Sequence, residues 1–474
     1  MKLISKDREF YKAVAHLALP IDLQSLITLS VNLVDTVMVG QLGETSLSAV
    51  SLANQFIGTY QASCLGIGMG ASVLISRFYG GKDMESVKRT VTVTLRFTVF
   101  FGLIFTLAAA AVPGFLMRIY TGEEEIVSKG VSYLRLSAFC YVIHGLTLTA
   151  TLLLRSVGKS GIPMISSAVA FFINLAGNYV FIFGKLGLPS LGVWGAALST
   201  LLARIFEFAF VAGYLFFFDK TVGYRIRDIF GRCSSVAGEY FRIGLPVFAS
   251  EAMLAVGNNV LAMIMGRIGA SFVAANAMTT VTQQLSTVLL QGLSQSGCIL
   301  VGQTLGREER GKLPKASGDE TENSLKNDER GQAVEQAWAM LGLGLLTGIV
   351  GGALILFSSD FVISVYRVTE ETAAITKQLM RAMGIIVVFQ SADSVLTKGV
   401  LRGGGDTRFL LVADVLFVWI ASVPLGFLAG LVWKLPAFWV YFLLKTDRII
   451  SCGWCLWRLR SGKWIREIGA EKNR

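Results

Sequence analysis

Charged side chains are scarce in this sequence. Only 16% of its 474 residues are Asp, Glu, Lys or Arg, whereas 53% are hydrophobic even without its 50 glycines. In soluble globular proteins the apolar fraction is about half with glycine included, so this chain has more apolar surface than a soluble fold can bury. The composition therefore excludes a soluble protein and predicts a polytopic membrane protein.

Complete motifs for nucleotide, metal or thiol chemistry are also missing. Residues 158–160 read Gly-Lys-Ser, but a phosphate-binding loop needs glycine five places earlier, where this chain has Leu153. Cys452 and Cys455 lack the second Cys or His pair that a zinc site requires. No nucleophile, metal-ligand set or acid–base pair stands out, so we expect neither an enzyme nor a bound cofactor.

Long hydrophobic runs dominate the sequence instead. Twelve segments reach the ~20 mostly apolar residues that a membrane-spanning helix needs. Two of them repeat one pattern, because Pro20 and Gly40 are separated by the same interval as Pro246 and Gly266. We therefore expect an all-α integral membrane fold in which twelve transmembrane helices form two pseudo-symmetric six-helix bundles.

The two halves divide near the basic loop that precedes the second repeat. We assign residues 1–225 to an N-lobe and residues 226–474 to a C-lobe. A second repeated motif, Leu-Arg at 154–155 and again at 401–402, indicates that the C-lobe carries extra residues. We place them at about 307–331, where a charged stretch without apolar periodicity predicts a polar cytoplasmic insertion.

The placement of basic residues predicts the orientation. A net charge of +11 would suggest a nucleic-acid partner for a soluble protein, but here most Lys and Arg fall in loops on the side that both termini share. Basic loops usually stay in the cytoplasm. We therefore expect a multi-pass protein of the plasma (inner) membrane, with both termini cytoplasmic, surrounded by membrane lipid and without a nucleic-acid partner.

Carboxylates inside the apolar segments are candidate functional residues. One at the centre of a bilayer costs roughly 2.5–3.5 kcal/mol on insertion scales, so it usually faces a cavity, a partner or an ion. We predict that Asp35, Glu251 and Asp393 bind a coupling cation or proton, while the role of Asp414 stays open. Glu251 and Asp393 with nearby amide oxygens suit a sodium site, or each neutralises a buried base, since Lys398 lies five residues after Asp393.

Amide side chains accompany these carboxylates in the apolar segments. They line a polar cavity for substrate or cation, or they form hydrogen bonds between helices. Spacings of three, four or seven residues put several of them on shared helix faces. The spacing predicts that Gln284, Gln291 and Gln295 form one stripe along a helix. The candidates are Asn32, Asn54, Gln61, Asn174, Asn178, Gln284, Gln291 and Gln295.

Four motifs together carry a family resemblance. They are LALPIDLQSLITLSVNLVDTVMVGQLG, IGLPVFASEAMLAVGNNVLAMIMGRIG, FQSADSVLTKGVLRGGGDT and RLRSGKW. With them the chain resembles the multidrug and toxin extrusion (MATE) family over nearly its whole length. The resemblance implies a V-shaped pair of bundles that alternates between inward-open and outward-open forms. It also implies a secondary antiporter that exports amphipathic, often cationic, small molecules in exchange for sodium or protons, and we expect it to be a monomer.

The resemblance also assigns roles to residues. Asp35 matches the family's first-helix aspartate, which is associated with cation or proton coupling, and Glu251 and Asp393 match the C-lobe carboxylates of NorM-like members. Asn174 matches an asparagine of the fifth span, but Asn178 stands where many relatives have aspartate. That departure removes one titratable group and favours sodium over proton coupling.

Two other functions remain alternatives. One is a flippase for lipid-linked precursors from the wider superfamily, and the other is a membrane scaffold or channel without coupled transport. Such flippases commonly have extra helices and basic cavities, whereas the candidate cavity residues here are acidic or amide. A scaffold has no need of three carboxylates inside its helices.

Overall fold

The fold is helical almost throughout, and the part of the chain that the structure describes contains no strand. The computed structural model describes residues 7–187, 189–311, 322–366 and 368–467. The helices of the first half are α1 (Arg8–Gly40), α2 (Glu44–Gly80), α3 (Met84–Ala111), α4 (Pro113–Arg118), α5 (Glu124–Ser137), α6 (Cys140–Ser156), α7 (Gly161–Phe183) and α8 (Gly192–Gly213).

The second half begins after a short 3-10 helix, Ile226–Phe230. Its α-helices are α9 (Ser234–Ile268), α10 (Ala270–Ser286), α11 (Leu289–Gly311), α12 (Glu322–Val365), α13 (Glu370–Ser394), α14 (Thr407–Phe417), α15 (Val423–Phe427), α16 (Ala437–Leu444) and α17 (Thr446–Arg460). The repeated prolines both lie inside long helices, Pro20 in α1 and Pro246 in α9, so the sequence repeat falls at equivalent places in the two halves.

Nine of the described helices are long and apolar enough to cross a membrane, or eleven if two bent helix pairs each count as one span. The pairs are α5 with α6, bent by 55°, and α10 with α11, bent by 53°. The twelfth predicted span corresponds to α16 and α17, which are separated at Lys445 beside Asp447 and Arg448. Neither helix alone is long enough to cross a membrane, because α16 has 8 residues and α17 has 15. The predicted all-α, multi-pass membrane fold is confirmed.

The helices form two compact units. The N-unit comprises Leu23–Ile75 and Met84–Gly244, and the C-unit comprises Met1–Asp22, Ser76–Asp83 and Leu245–Arg474. The C-unit thus includes the beginning of α1 and the end of α2. The division into lobes at residues 1–225 and 226–474 stays a prediction.

One hydrophobic cluster of the C-unit joins residues from distant parts of the sequence. Phe10 and Val14 of α1 belong to the same buried cluster as Trp464. A β-carbon added at Gly404 would overlap the Trp464 ring. The backbone amide of Arg466 donates a hydrogen bond of 2.9 Å to the Gly404 carbonyl. The segment after α17 is therefore a structural part of the C-unit.

Glycines one helical turn apart in α12 allow α12 and α13 to pack closely. A β-carbon at Gly352 would lie 2.5 Å from the carbonyl oxygen of Gly384, and one at Gly348 would lie 2.9 Å from the Cα of Val388. Larger residues would force the two backbones apart.

The predicted insertion at about 307–331 is only partly described. Helix α11 continues to Gly311 and α12 begins at Glu322, so both edges of this segment are helical. Residues 312–321 lie outside the described residues.

Replacing Gly352 tests the contact between α12 and α13. We expect Gly352→Leu to destabilise the protein by about 1–3 kcal/mol, because backbone atoms of α13 cannot rotate away from the added side chain. The thermal unfolding midpoint in detergent should fall. Gly331→Leu is the control, since Gly331 also lies in α12 and a β-carbon there meets nothing within 4 Å. Equal midpoints for the two variants would contradict the close packing.

Candidate functional site

A polar cavity of about 270 Å³ lies within the N-unit. Six helices contribute side chains to it, because polar residues at helical spacing in α1, α2, α5, α6, α7 and α8 face the same interior space. Several predicted site residues line this cavity, namely Asn32, Asp35, Asn54, Gln61 and Asn174. The structure thus brings together candidates that are widely separated in the sequence.

Asp35 is the half-buried carboxylate of this cavity, and α7 supplies its partner. The Asn178 amide nitrogen donates one hydrogen bond to Asp35 Oδ1 and another, of 3.2 Å, to Asn174 Oδ1. Because Asn174 and Asn178 are one helical turn apart on α7, both amides point the same way. The two asparagines and Asp35 form one connected group.

Two features of this group are unusual for a buried site. Asn178 Oδ1 is buried and has no hydrogen-bond partner within the described part of the chain. Among those same residues, no Lys, Arg or His nitrogen lies within 4.0 Å of the Asp35 carboxylate. A buried acceptor without a donor and a carboxylate without a cation both favour binding of a positively charged species.

The other carboxylate of the cavity, Glu207, is fully engaged. Arg204 pairs with Glu207 at 2.7 Å, as their i, i+3 spacing predicts, and the Ser167 hydroxyl donates to its second oxygen at 2.7 Å. The chain of bonds continues, since the Gln24 amide donates to Ser167 Oγ at 2.7 Å and Arg155 donates to Gln24 Oε1 at 2.6 Å. Glu207 is thus neutralised and held in place, which leaves Asp35 as the available anion.

Further polar groups of the cavity come from α5 and α6. Tyr133 donates a 3.4 Å hydrogen bond to Asn54 Oδ1. His144 is buried at the cavity wall, and its Nδ1 has no hydrogen-bond partner among the described residues.

Tyr133 and Gln24 were not predicted as site residues. Gln24 lies about three helical turns before Asp35 on the same face of α1, and that spacing was the available signal.

In the C-unit, Glu251 of α9 is paired with basic residues. Arg402 donates to Glu251 at 3.0 Å, and Lys398 Nζ lies 3.9 Å from its other oxygen. A π-helical turn at Val395–Leu401 immediately precedes Arg402 and carries Lys398. The sequence suggested Lys398 as a partner of Asp393, whereas Lys398 forms its ion pair with Glu251.

Asp393 has separate partners on α17. Ser451 donates to Asp393 at 2.6 Å, and Arg448 lies 3.4 Å from its second oxygen. Arg448 also pairs with Asp447 at 3.2 Å. The two candidate sodium ligands therefore have different cationic neighbours, Arg402 and Lys398 at Glu251 and Arg448 at Asp393.

Asp414, whose role the sequence left open, accepts a hydrogen bond from Ser250, the neighbour of Glu251 on α9. It is buried and has no ion pair among the described residues. Asp447, in turn, accepts a 2.7 Å bond from Ser422. The sequence analysis missed the buried Asp447 and the half-buried Arg448, although an Asp-Arg pair inside an apolar segment was the signal that could have found them.

The repeated Leu-Arg motif places equivalent arginines in the two halves. Arg155 and Arg402 are both buried, and each donates to a side chain on the first long helix of its own half, Gln24 of α1 or Glu251 of α9. Gln24 lies four residues after Pro20 and Glu251 five residues after Pro246, so the contacts are similar in the two halves without being identical. This parallel favours a structural role for the Glu251–Arg402 pair.

The predicted glutamine stripe is not continuous, and that prediction is wrong. Gln284 lies in α10, whereas Gln291 and Gln295 lie in α11, and the two helices meet at a bend of 53°. The seven-residue spacing between Gln284 and Gln291 crosses this bend, so it does not define one helix face. Gln284 and Gln291 are exposed, and Gln295 is half-buried.

Among the residues that the structure describes, no three His, Cys, Asp or Glu side chains are grouped closely enough to hold a metal ion. A sodium site at Glu251 and Asp393 would therefore depend on other oxygen atoms for most of its ligands, and it stays a prediction.

Comparison with known proteins places this geometry in a wider context. The MatE family model matches residues 20–180 and 327–428. A relative from Thermotoga maritima, named "Probable multidrug resistance protein NorM", is 26% identical over 468 residues, covering 98% of this chain and 96% of the relative. "Uncharacterized transporter YisQ" of Bacillus subtilis is 25% identical over 444 residues, covering 91% of this chain and 90% of the relative.

Solved structures share the fold. One, described as an outward-facing conformation of a multidrug resistance MATE family transporter of the MOP superfamily, aligns with a TM-score of 0.83 at 19% identity, covering 97% of this chain and 99% of that one. A MOP superfamily transporter from Pyrococcus furiosus aligns with a TM-score of 0.82 at 20% identity, again covering 97% and 99%.

The Glu251–Arg402 pair can be tested by removing its charges singly and together. We expect Glu251→Gln to destabilise the protein by about 3–5 kcal/mol, because it leaves Arg402 buried beside a neutral amide. Glu251→Gln combined with Arg402→Gln should recover a large part of the loss in thermal unfolding midpoint. If the double variant is as unstable as the sum of the two single variants, the pair is not the structural unit described here.

Proposed function

Because the chain belongs to the MatE family of transporters, we propose that it is a secondary active multidrug efflux antiporter. Members of this family are transporters and not enzymes. The chain would export amphipathic, often cationic, small molecules and exchange them for sodium ions or protons. Curated relatives named multidrug resistance proteins support the efflux function.

The observation that carries this proposal is the Asp35 group in the N-unit cavity. The group contains the half-buried carboxylate of Asp35 and the side-chain oxygen of Asn178, which has no hydrogen-bond partner among the described residues. Within those residues, no basic side chain lies within 4.0 Å of the Asp35 carboxylate. An entering cation would neutralise the carboxylate and use the amide oxygens as further ligands. An exported organic cation would compete for the same negative charge.

Competition of this kind is what antiport needs. A bound ion drives export only if its affinity differs between the states of the transporter, and then it changes substrate affinity by the same factor. With Asp35 occupied by the entering ion, a cationic substrate loses its counter-charge and is released. After that ion has left, the carboxylate again attracts a substrate.

The ligand set favours sodium over protons. Asn174 and Asn178 supply amide oxygens, which coordinate a hard cation, whereas neither residue titrates. The carboxylates Glu251 and Asp393 are retained as a predicted second coupling site. An ion there would have to displace the guanidinium groups of Arg402 and Arg448, so we regard Asp35 as the first site to test.

The remaining features follow from the family and the charge pattern. We propose a plasma (inner) membrane protein that acts as a monomer on small molecules, with both termini in the cytoplasm. The alternatives, a flippase for lipid-linked precursors or an uncoupled scaffold or channel, are less well supported because the cavity contains amides and a carboxylate that has no basic partner among the described residues.

Asp35→Asn removes the negative charge and keeps a side chain of nearly the same shape, so it should abolish the coupling between ion entry and substrate export. We expect ion-driven efflux of a cationic dye from proteoliposomes to fall at least about fivefold, the lower end of typical coupling energies. The measurement is dye movement under an imposed sodium gradient and, separately, an imposed pH gradient. Asp360→Asn is the matched control, because Asp360 is exposed and pairs only with Lys377 among the described residues.

Each outcome of this comparison is informative. Loss of efflux in Asp35→Asn alone supports the site, and the gradient that drives the wild type identifies the ion. Unchanged efflux in Asp35→Asn would remove Asp35 from the mechanism, and dye movement that ignores both gradients would refute antiport.

Exchange of one ion for one molecule predicts a charge-dependent response to membrane potential. A monocationic substrate moves no net charge, so an imposed potential should not change its rate. A neutral substrate moves one net charge, worth about 2.3 kcal/mol per 100 mV, and its export should accelerate when the inside is negative. Potential-dependent export of a monocation would contradict this stoichiometry.

A further inference from the structure

An apolar groove on the N-unit lies apart from the polar cavity. It encloses about 520 Å³, which is within the 300–1,000 Å³ typical of ligand sites. Residues of α3, α6 and α8, the π-helical turn Tyr214–Phe218 and the 3-10 helix Ile226–Phe230 line it. All of its lining side chains except Arg96 are hydrophobic, and Phe100 and Phe230 at its edge are strongly exposed.

Hydrogen bonds hold the residues at one end of the groove in place. Tyr224 and Thr92 share a hydrogen bond of 2.9 Å, and the Thr92 hydroxyl also donates to the Asp228 carbonyl at 3.0 Å. Arg96 donates to the carbonyls of Ile229, at 2.6 Å, and Gly231, at 3.0 Å. These bonds hold the 3-10 helix against α3 and so define the wall of the groove.

Arg96 retains its positive charge at this end. Its hydrogen-bond partners are carbonyl oxygens and the Cys233 sulfur, all neutral, and within the described residues no carboxylate oxygen lies within 4.0 Å of its guanidinium. In and beside the 3-10 helix Ile226–Phe230, Arg225, Arg227 and Arg232 are exposed. The groove therefore combines a long apolar surface with an uncompensated cation at one end.

We propose that this groove binds an anionic phospholipid, with an acyl chain along the hydrophobic wall and the headgroup phosphate at Arg96. Such a lipid is complementary to the groove, because its acyl chain is apolar like the groove wall and its phosphate carries the charge opposite to that of Arg96. The basic loop after α8 lies on the proposed cytoplasmic side, where the membrane surface is negatively charged and attracts basic segments. This lipid would brace the connection between the N-unit helices and the loop that follows them.

Native mass spectrometry of the purified protein tests the site with phosphatidylglycerol and phosphatidylcholine of identical chains. We expect one retained phosphatidylglycerol, bound about fivefold more tightly than phosphatidylcholine, as one basic contact would provide. Arg96→Gln should remove this preference, and Arg96→Lys should keep it. Ala212→Phe, which fills the groove without deleting a contact, should weaken binding of both lipids.

Arg227→Gln is the matched control, because it removes the same charge outside the groove lining and should leave the preference intact. Equal binding of the two lipids by the wild type would overturn the proposal, as would an equal loss of preference in Arg227→Gln and Arg96→Gln. Wild-type binding that survives in Ala212→Phe would also overturn it. If inorganic phosphate raises the unfolding midpoint as much as phosphatidylglycerol does, the site binds a free anion and the lipid assignment is wrong.

Discussion

A charged group inside an apolar fold needs hydrogen-bond partners or a counter-charge, and the buried arginines of this protein obtain them from other helices. Arg155 and Arg402 follow the same Leu-Arg motif in each half and donate to Gln24 and Glu251. Each bond joins the end of one helix to the middle of the first long helix of its half. Because a buried guanidinium is costly without acceptors, these bonds restrict how the helices can pack.

The two units use their carboxylates differently. In the C-unit, Glu251 and Asp393 lie against guanidinium groups, so their charge is already balanced. In the N-unit, Glu207 is balanced by Arg204, whereas Asp35 has amide neighbours. Asp414 of the C-unit also lacks a basic partner among the described residues and accepts a hydrogen bond from Ser250. The two units therefore pair their repeat-related carboxylates differently, with arginines at Glu251 and Asp393 and with asparagine at Asp35.

The sequence predicted what depends on local pattern. Apolar run length predicts the spans, and the residues flanking Pro20 and Pro246 reveal the repeat. Partners across helices were not predictable, because Asn178 and Asp35 are separated by 143 residues and sequence spacing does not specify which helices pack together. Proximity in sequence was even misleading for Lys398, which pairs with Glu251. The bend between α10 and α11 likewise left no signal in the glutamine spacing.

The shared cluster of Phe10, Val14 and Trp464 has a consequence for biogenesis. Its earliest members enter the bilayer long before the ribosome has made the last, so the core of the C-unit stays incomplete for most of translation. Until Trp464 emerges, α1 lacks part of its final packing surface, and apolar side chains there must be covered by lipid or by the insertion machinery. This cluster can therefore be completed only after the last helix of the unit has been synthesised.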